Sequence, residues 1–189
     1  YQAQIAQLKA MVDTQNIVVS VIQANNGKVT VHHSYHALGR VLRDAGFRFP
    51  PLIDNIPEGQ RIDVSAEQLP ELDADFVFVT HYPSKKRPFY AMDDPEDTTY
   101  TLSFDLLFHG LEITTGGQRI HDYQTLVDKI ADRGMTQEGM EQYMMIFKHG
   151  MPPHGGLGIG MERLTMKLLG EENVRETTLF PRDLNRLEP

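Results

Sequence analysis

Apolar residues recur every three to four positions at the start of the chain (Ile5, Leu8, Val12), which predicts a helix over residues 1–11. The β-branched run at 17–22, IVVSVI, predicts a buried strand. Asn25-Asn26-Gly27 is a hairpin signal, because Asn and Gly tolerate the positive φ of tight turns. Beyond it, Val29 and Val31 alternate with polar neighbours, as in a second strand over 28–33. Leu38, Val41 and Leu42 form one face of a helix over 37–45 that Gly46 stops. Residues 49–61, rich in Pro, Asn and Gly, predict a loop. Ser65 and Gln68 fit a capping box that opens a short helix to Leu72. The stretch 75–80, DFVFVT, has the aromatic and β-branched pattern of a central strand. Strands thus alternate with helices up to Thr80, the pattern of an α/β layer arrangement.

The pattern changes after Thr80. A basic loop at 82–87 (YPSKKR) and an acidic one at 92–99 (MDDPEDTT) precede one long alternating stretch, 100–113, with Leu102, Phe104, Leu106 and Phe108 on one face. Such alternation predicts an antiparallel-type strand. Asp122 can cap a helix running to Arg133, with Leu126, Val127 and Ile130 inward. Thr136 can cap the next, where Met140, Tyr143, Met144 and Phe147 follow helical spacing before Gly150. This methionine-rich stripe reads as core.

Composition narrows the classes. The 189 residues carry 26 acidic and 18 basic side chains, a formal charge of −8, with 40% hydrophobic and 23% charged positions, values of a globular protein. No apolar run reaches the ~18 residues of a membrane span, and residues 1–10 lack the apolar segment of a signal peptide. The absence of cysteine excludes disulfides and thiol catalysis. The acidic balance argues against a broad nucleic-acid surface. His32, His33 and His36 suggest metal ligation by number, but a strand puts the first two on opposite faces, so loop residues are the favoured reading. Lys85, Lys86 and Arg87 fit an RNA phosphate contact or a solvated loop equally well.

The most informative segment is GGLGIGMER, residues 155–163, followed by an apolar helix over 164–169. Alternating glycines let the backbone approach a flat ligand or a phosphate, and Arg163 adds a planar cationic fork. The spacing is not that of a P-loop. GLGIGMER with its helix resembles the third signature motif of class II aminoacyl-tRNA synthetases. HYPSKKRPFY (81–90), SFDLL (103–107), GLEITTGGQRIH (110–121), GMPPHG (150–155) and LFPRD (179–183) are similar to the archaeal-type aspartyl-tRNA synthetases and their asparaginyl relatives. Several long motifs in this order cover about 76–189.

The resemblance implies a cytoplasmic, ATP- and Mg²⁺-dependent aspartate–tRNA ligase. It implies that Gly160, Met161, Glu162 and Arg163 hold ATP, that Glu112 binds Mg²⁺ and ATP, and that Thr115 contacts metal and aspartate. It further implies that Arg119 pairs with the aspartate side chain, that His154, Lys85 and Lys86 lie around the amino acid, and that Glu112, Arg119 and Arg163 carry the catalysis. On residue type alone, Glu112 and Arg119 read as a cross-strand ion pair. The first two class II motifs and the anticodon-binding barrel are not found upstream of Phe76. Full aminoacylation and tRNA binding are therefore not expected, nor is a synthetase-type dimer.

Residues 1–80, and SAEQLPELDADFVFVT above all, resemble the C-terminal lobe of periplasmic siderophore-binding proteins of iron ABC transporters. That likeness implies a Rossmann-like α/β half, without siderophore binding in the absence of a partner lobe. Together the two resemblances predict a chimera with domains 1–80 and 81–189. Its α/β half would join an antiparallel α+β half through a shared strand at 76–80.

Overall fold

The computed structural model describes residues 1–25, 28–34 and 36–182. Helix α1 spans Gln2–Met11, and strands β1 (Val19–Asn25) and β2 (Lys28–His32) follow. Next come α2 (His36–Asp44), the one-turn α3 (Pro51–Asp54), β3 (Arg61–Val64), a 3₁₀ segment (Ala66–Leu72) and β4 (Phe76–Thr80). The remainder comprises β5 (Ser103–Phe108), β6 (Leu111–Arg119), α4 (Tyr123–Asp132), α5 (Glu141–Lys148), β7 (His154–Ile159) and α6 (Met161–Leu169). All seven strands belong to one sheet of order β3-β2-β1-β4-β5-β6-β7.

A Rossmann-like half is not what forms. β1 pairs antiparallel with β2, Ile22 opposite Val31, and β2 pairs antiparallel with β3, Val31 opposite Ile62. A connection of two residues after Asn25 can join only antiparallel neighbours, whereas a parallel pair needs a crossover of a dozen residues or more. Asn26 and Gly27 of the expected turn lie outside the described residues.

The chain divides into two compact units. One contains Tyr1–Val79, Asp105–Thr114 and the chain from Ile159 on; the other contains Thr80–Phe104 and Thr115–Gly158. The core of the first is Val21, Val31, Phe49, Ile53, Ile56, Val64 and Leu72, against which Leu38, Leu42 and Phe78 pack. Val41, expected on the same face of α2, is 37% exposed. Two buried hydroxyls find backbone acceptors there: Ser20 donates to the Leu72 carbonyl at 2.7 Å and Thr14 to that of Ala45 at 2.8 Å. The core of the second unit is Ile120, Leu126, Ile130, Met144 and Phe147. Each of these side chains contributes about 1.5–3 kcal/mol by leaving water.

Three expectations change for local reasons. The single strand over 100–113 is a hairpin, because His109 (φ 44°) and Gly110 (φ 77°) both take positive φ and reverse the chain between β5 and β6. The glycine-rich turn is strand β7 up to Ile159, and only Gly160 caps α6. α5 begins at Glu141 and not after Thr136, since Gly139 at φ 79° interrupts the helical path. The Asp122 cap forms as expected, accepting the Thr125 N–H at 2.8 Å.

Candidate functional site

In the second unit, β6 contributes Thr115, Gly117 and Arg119, which alternate onto one face and line a cavity of about 370 Å³. Arg87, Tyr90, Ser103 and Gly156 line it too. Glycines make this surface possible. A Cβ on Gly116 would meet the Gly156 carbonyl oxygen at 2.8 Å, and one on Gly117 would meet the Leu102 carbonyl oxygen at 2.8 Å. A Cβ on Gly156 would lie 3.2 Å from Arg119 Nη2. The bare backbone of β7 therefore leaves room for the Arg119 fork.

The guanidinium of Arg119 lies over the Tyr90 ring, 4.8 Å from its centroid, as a cation–π contact. Among the described residues it makes no hydrogen bond or ion pair. The Glu112–Arg119 ion pair that residue type suggested does not form, because Glu112 turns to Arg163 instead. Arg87 reaches the same cavity: its Nη1 donates to Thr115 Oγ1 at 3.2 Å and its guanidinium stacks 3.8 Å over Tyr82. The described lining thus holds two arginines and no carboxylate. Two fixed cations in a polar concavity favour an anionic ligand, and the planar fork suits a carboxylate. In sequence, Arg87 belongs to a basic run and to the motif HYPSKKRPFY, but neither gives it a role at the site. The signal that could have found it is its place directly before Pro88 and the aromatic pair Phe89-Tyr90.

In the first unit, Gly160 caps α6 and its N–H donates to the Ile113 carbonyl at 2.8 Å, so this amide is already engaged. Arg163, one turn into the helix, donates from Nη1 to the Glu112 carbonyl at 3.0 Å and reaches Glu112 Oε1 at 3.4 Å. Both side chains are about half exposed. Met161 is exposed, and the Glu162 carbonyl accepts from Thr177 Oγ1 at 2.9 Å.

Of the residues singled out by sequence, Thr115 and Arg119 meet in one cavity, and Glu112 meets Arg163. His154 lines a different hollow, of about 710 Å³, with Leu102, Phe104, Gln118 and Leu157. Its Nδ1 lies 3.1 Å from the Pro152 carbonyl oxygen. Lys85 and Lys86 sit exposed on a 3₁₀ turn and do not line the Arg119 cavity. No group of three or more His, Cys, Asp or Glu that could hold a metal exists among the described residues, His32 and His33 included; the His36 side chain lies outside the description. Mg²⁺ bound with a nucleotide needs only one or two protein carboxylates, the phosphates and water completing its shell. Glu112 fits that lesser requirement.

The family model described as tRNA synthetases class II (D, K and N) matches residues 4–184. An aspartate–tRNA(Asp/Asn) ligase of Aeropyrum pernix is 49% identical over 132 residues, 70% of this chain and 30% of that protein. An aspartate–tRNA(Asp) ligase of Picrophilus torridus is 44% identical over 168 residues, 89% of this chain and 38% of its own. Among solved structures, an aspartyl-tRNA synthetase from Entamoeba histolytica superposes with a TM-score of 0.59 at 44% identity, over 61% of this chain and 24% of that one. An asparaginyl-tRNA synthetase of the same organism covers 98% of this chain and 40% of its own, with a TM-score of 0.62 at 29% identity.

These matches correct the reading of two parents. Residues 4–80, part of the expected siderophore-protein lobe over 1–80, lie inside the synthetase family model, which runs across residue 80. The Picrophilus alignment likewise spans more of this chain than a segment beginning at residue 76 could supply. The predicted chimera, and with it iron-transport ancestry, has no support in these matches. The chain spans about a third of the length of the curated relatives it matches. It belongs to the class II tRNA synthetases of the D, K and N group.

Proposed function

We propose that the chain carries aspartate- and ATP-binding residues of the catalytic domain of an aspartate–tRNA ligase. The observation that carries this reading is the Arg119 guanidinium, unpaired among the described residues and lining a cavity with a second arginine and no carboxylate. An aspartate side chain satisfies that charge, with Arg119 as the bidentate partner and the Thr115 hydroxyl and Arg87 beside it. An asparagine side chain leaves the cationic lining uncompensated, which favours aspartate over its amide.

Arg163 and Glu112 are the ATP-facing pair of this reading. Arg163 supplies a fixed positive charge for the phosphates or a plane for the adenine, and Glu112 supplies the carboxylate that would hold Mg²⁺. When bound, magnesium neutralises charge on the ATP phosphates. The activity proposed for the whole ligase is attack of the aspartate α-carboxylate on the α-phosphorus of ATP, with pyrophosphate leaving. The protein's share of such chemistry is positioning and charge stabilisation. Transfer to tRNA is the activity that the names of the longer relatives state.

Isothermal titration of the 189-residue chain with L-aspartate, L-asparagine and ATP·Mg²⁺ tests the proposal. Aspartate binds at least about 10-fold more tightly than asparagine, and Arg119→Leu removes that binding. Equal affinities for the two amino acids, or no heat from aspartate, overturn it.

A further inference from the structure

Tyr143 stands on α5 at helical spacing with Met140, Met144 and Phe147, and its ring completes an aromatic cluster. It packs edge-on to Phe147 at 5.0 Å and to Phe89 at 6.3 Å between centroids. Phe89 in turn meets Tyr90 at 5.4 Å, and Tyr90 is the ring on which the Arg119 guanidinium rests. Packing alone asks only for a phenyl ring at position 143. The Tyr143 hydroxyl is nevertheless buried, with no hydrogen-bond partner among the described residues. A polar atom stripped of water without a partner is a cost that phenylalanine would avoid. Burial raises the pKa of this phenol, and the positive charge of Arg119 opposes the rise.

A guanidinium has five N–H donors, and a bidentate carboxylate takes two of them. The donors turned away from the ligand then need acceptors of their own. Among the described residues Arg119 has none, whereas the phenol oxygen of Tyr143 is an unused acceptor.

We propose that Tyr143 is the positioning residue of Arg119: with a carboxylate in the cavity, its Oη accepts an Arg119 N–H that faces away from the ligand and fixes the plane of the fork. This rests on the reading of the cavity as a carboxylate site and deepens it. Tyr143 touches no ligand atom and acts only through Arg119. The hydroxyl matters for the amino acid and not for the nucleotide, and it contributes nothing to the stability of the unliganded chain.

Tyr143→Phe keeps the ring and deletes the acceptor. The expected result is L-aspartate binding weakened about 10- to 100-fold, the worth of one hydrogen bond to a charged group. ATP·Mg²⁺ binding stays unchanged, and the melting temperature of the unliganded chain stays level or rises. In an Arg119→Lys background, which removes the fork, Tyr143→Phe has no further effect on aspartate affinity. An unchanged aspartate Kd in the single variant overturns the inference while leaving the carboxylate site standing. So does a fall in melting temperature that accompanies the loss of binding, which would make Tyr143 a packing residue only. If the wild-type chain binds no aspartate, the carboxylate reading itself fails and takes this inference with it.

Discussion

Arg163 Nη1 donates to both the backbone carbonyl of Glu112, at 3.0 Å, and its carboxylate, at 3.4 Å. The main-chain contact anchors the arginine whatever the carboxylate does, so Glu112 can turn to a cation without releasing Arg163. Both side chains are about half exposed, and an ion pair in such surroundings adds little to folding. Arg163→Ala is therefore expected to leave the melting temperature nearly unchanged while weakening ATP·Mg²⁺ binding about 10- to 100-fold, the range of a hydrogen bond to a charged group. Glu112→Gln should weaken ATP binding in Mg²⁺ and have little effect in EDTA. Titration calorimetry with and without magnesium, alongside thermal melts, checks both.

Two glycines of neighbouring strands should respond differently to the same methyl group. At Gly116 a Cβ would sit 2.8 Å from the Gly156 carbonyl oxygen, a backbone atom that moves only with its strand. Gly116→Ala is expected to destabilise the fold by about 1–3 kcal/mol, the usual cost of overpacking. At Gly156 the new methyl would instead meet Arg119 Nη2 at 3.2 Å and Nε at 3.3 Å. A side chain can swing aside, so Gly156→Ala should keep most of the stability and lose aspartate affinity. Urea midpoints and aspartate titrations on the two variants separate these effects.

Short-range signals in the sequence carried the elements whose causes are short-range. The Asp122 cap is one, because donor and acceptor lie three residues apart. The β5–β6 hairpin escaped notice because its turn is His109-Gly110: histidine is an uncommon choice at φ 44°, and the alternation ran through it without a break. The glycines of β7 suggest a turn from sequence because the reason for them lies on β6, whose Gly116 and Gly117 pack closely against β7 on one side and β5 on the other. β3, only four residues long, sat at the edge of a presumed loop. Thr115 and Arg119 were legible through family motifs, and their shared cavity fits their even spacing on one strand. Arg87 lies in the same set of motifs, but its contact with Thr115 joins residues 28 apart in sequence, and the place proposed for Tyr143 beside Arg119, 24 residues away, has no local sequence signal.

Acid should weaken the fold through carboxylates that are charged and hydrogen-bonded in it. The backbone N–H of Thr125, then its hydroxyl, hold the Asp122 carboxyl below its ordinary pKa. The Thr99 hydroxyl and N–H do so for Asp97, and the Thr30 hydroxyl and Lys28 ammonium for Asp63. A depressed folded pKa means that the stabilisation is present above the unfolded value, about 3.9, and is lost as pH falls through the folded one. Melting temperature should thus be level near neutrality and fall below about pH 4. Asp122→Ala should lower it by about 2–4 °C at pH 7, the shift of a lost helix cap in a chain of this size. That difference should shrink as the pH drops below 4. Thermal melts across pH check both statements.

Lys129 is 9% exposed on α4, and its Nζ contacts the Asp93 carboxylate and, at 2.6 Å, the Ser84 hydroxyl. Arg133, one turn later, donates to the carbonyls of Ser84 and Lys85. The two cations hold the Ser84–Lys86 turn in place, and Arg87 follows it directly. Lys129→Met would leave the Asp93 carboxylate short of its cation in a largely buried setting, which costs about 3 kcal/mol. Replacing both partners, as in Lys129→Met with Asp93→Leu, should recover most of that loss, because the cost lies in the unpaired charge and not in the missing attraction. The double variant still lacks the donor to Ser84, so the turn ahead of Arg87 keeps its Arg133 contacts and the Ser84 N–H bond to the Thr99 carbonyl but loses its side-chain clamp from α4. Stability should therefore return in the double variant while aspartate affinity stays reduced. Urea denaturation and aspartate titration on the single and double variants test this; affinity that returns together with stability would refute a link between the Lys129 clamp and the arginine cavity.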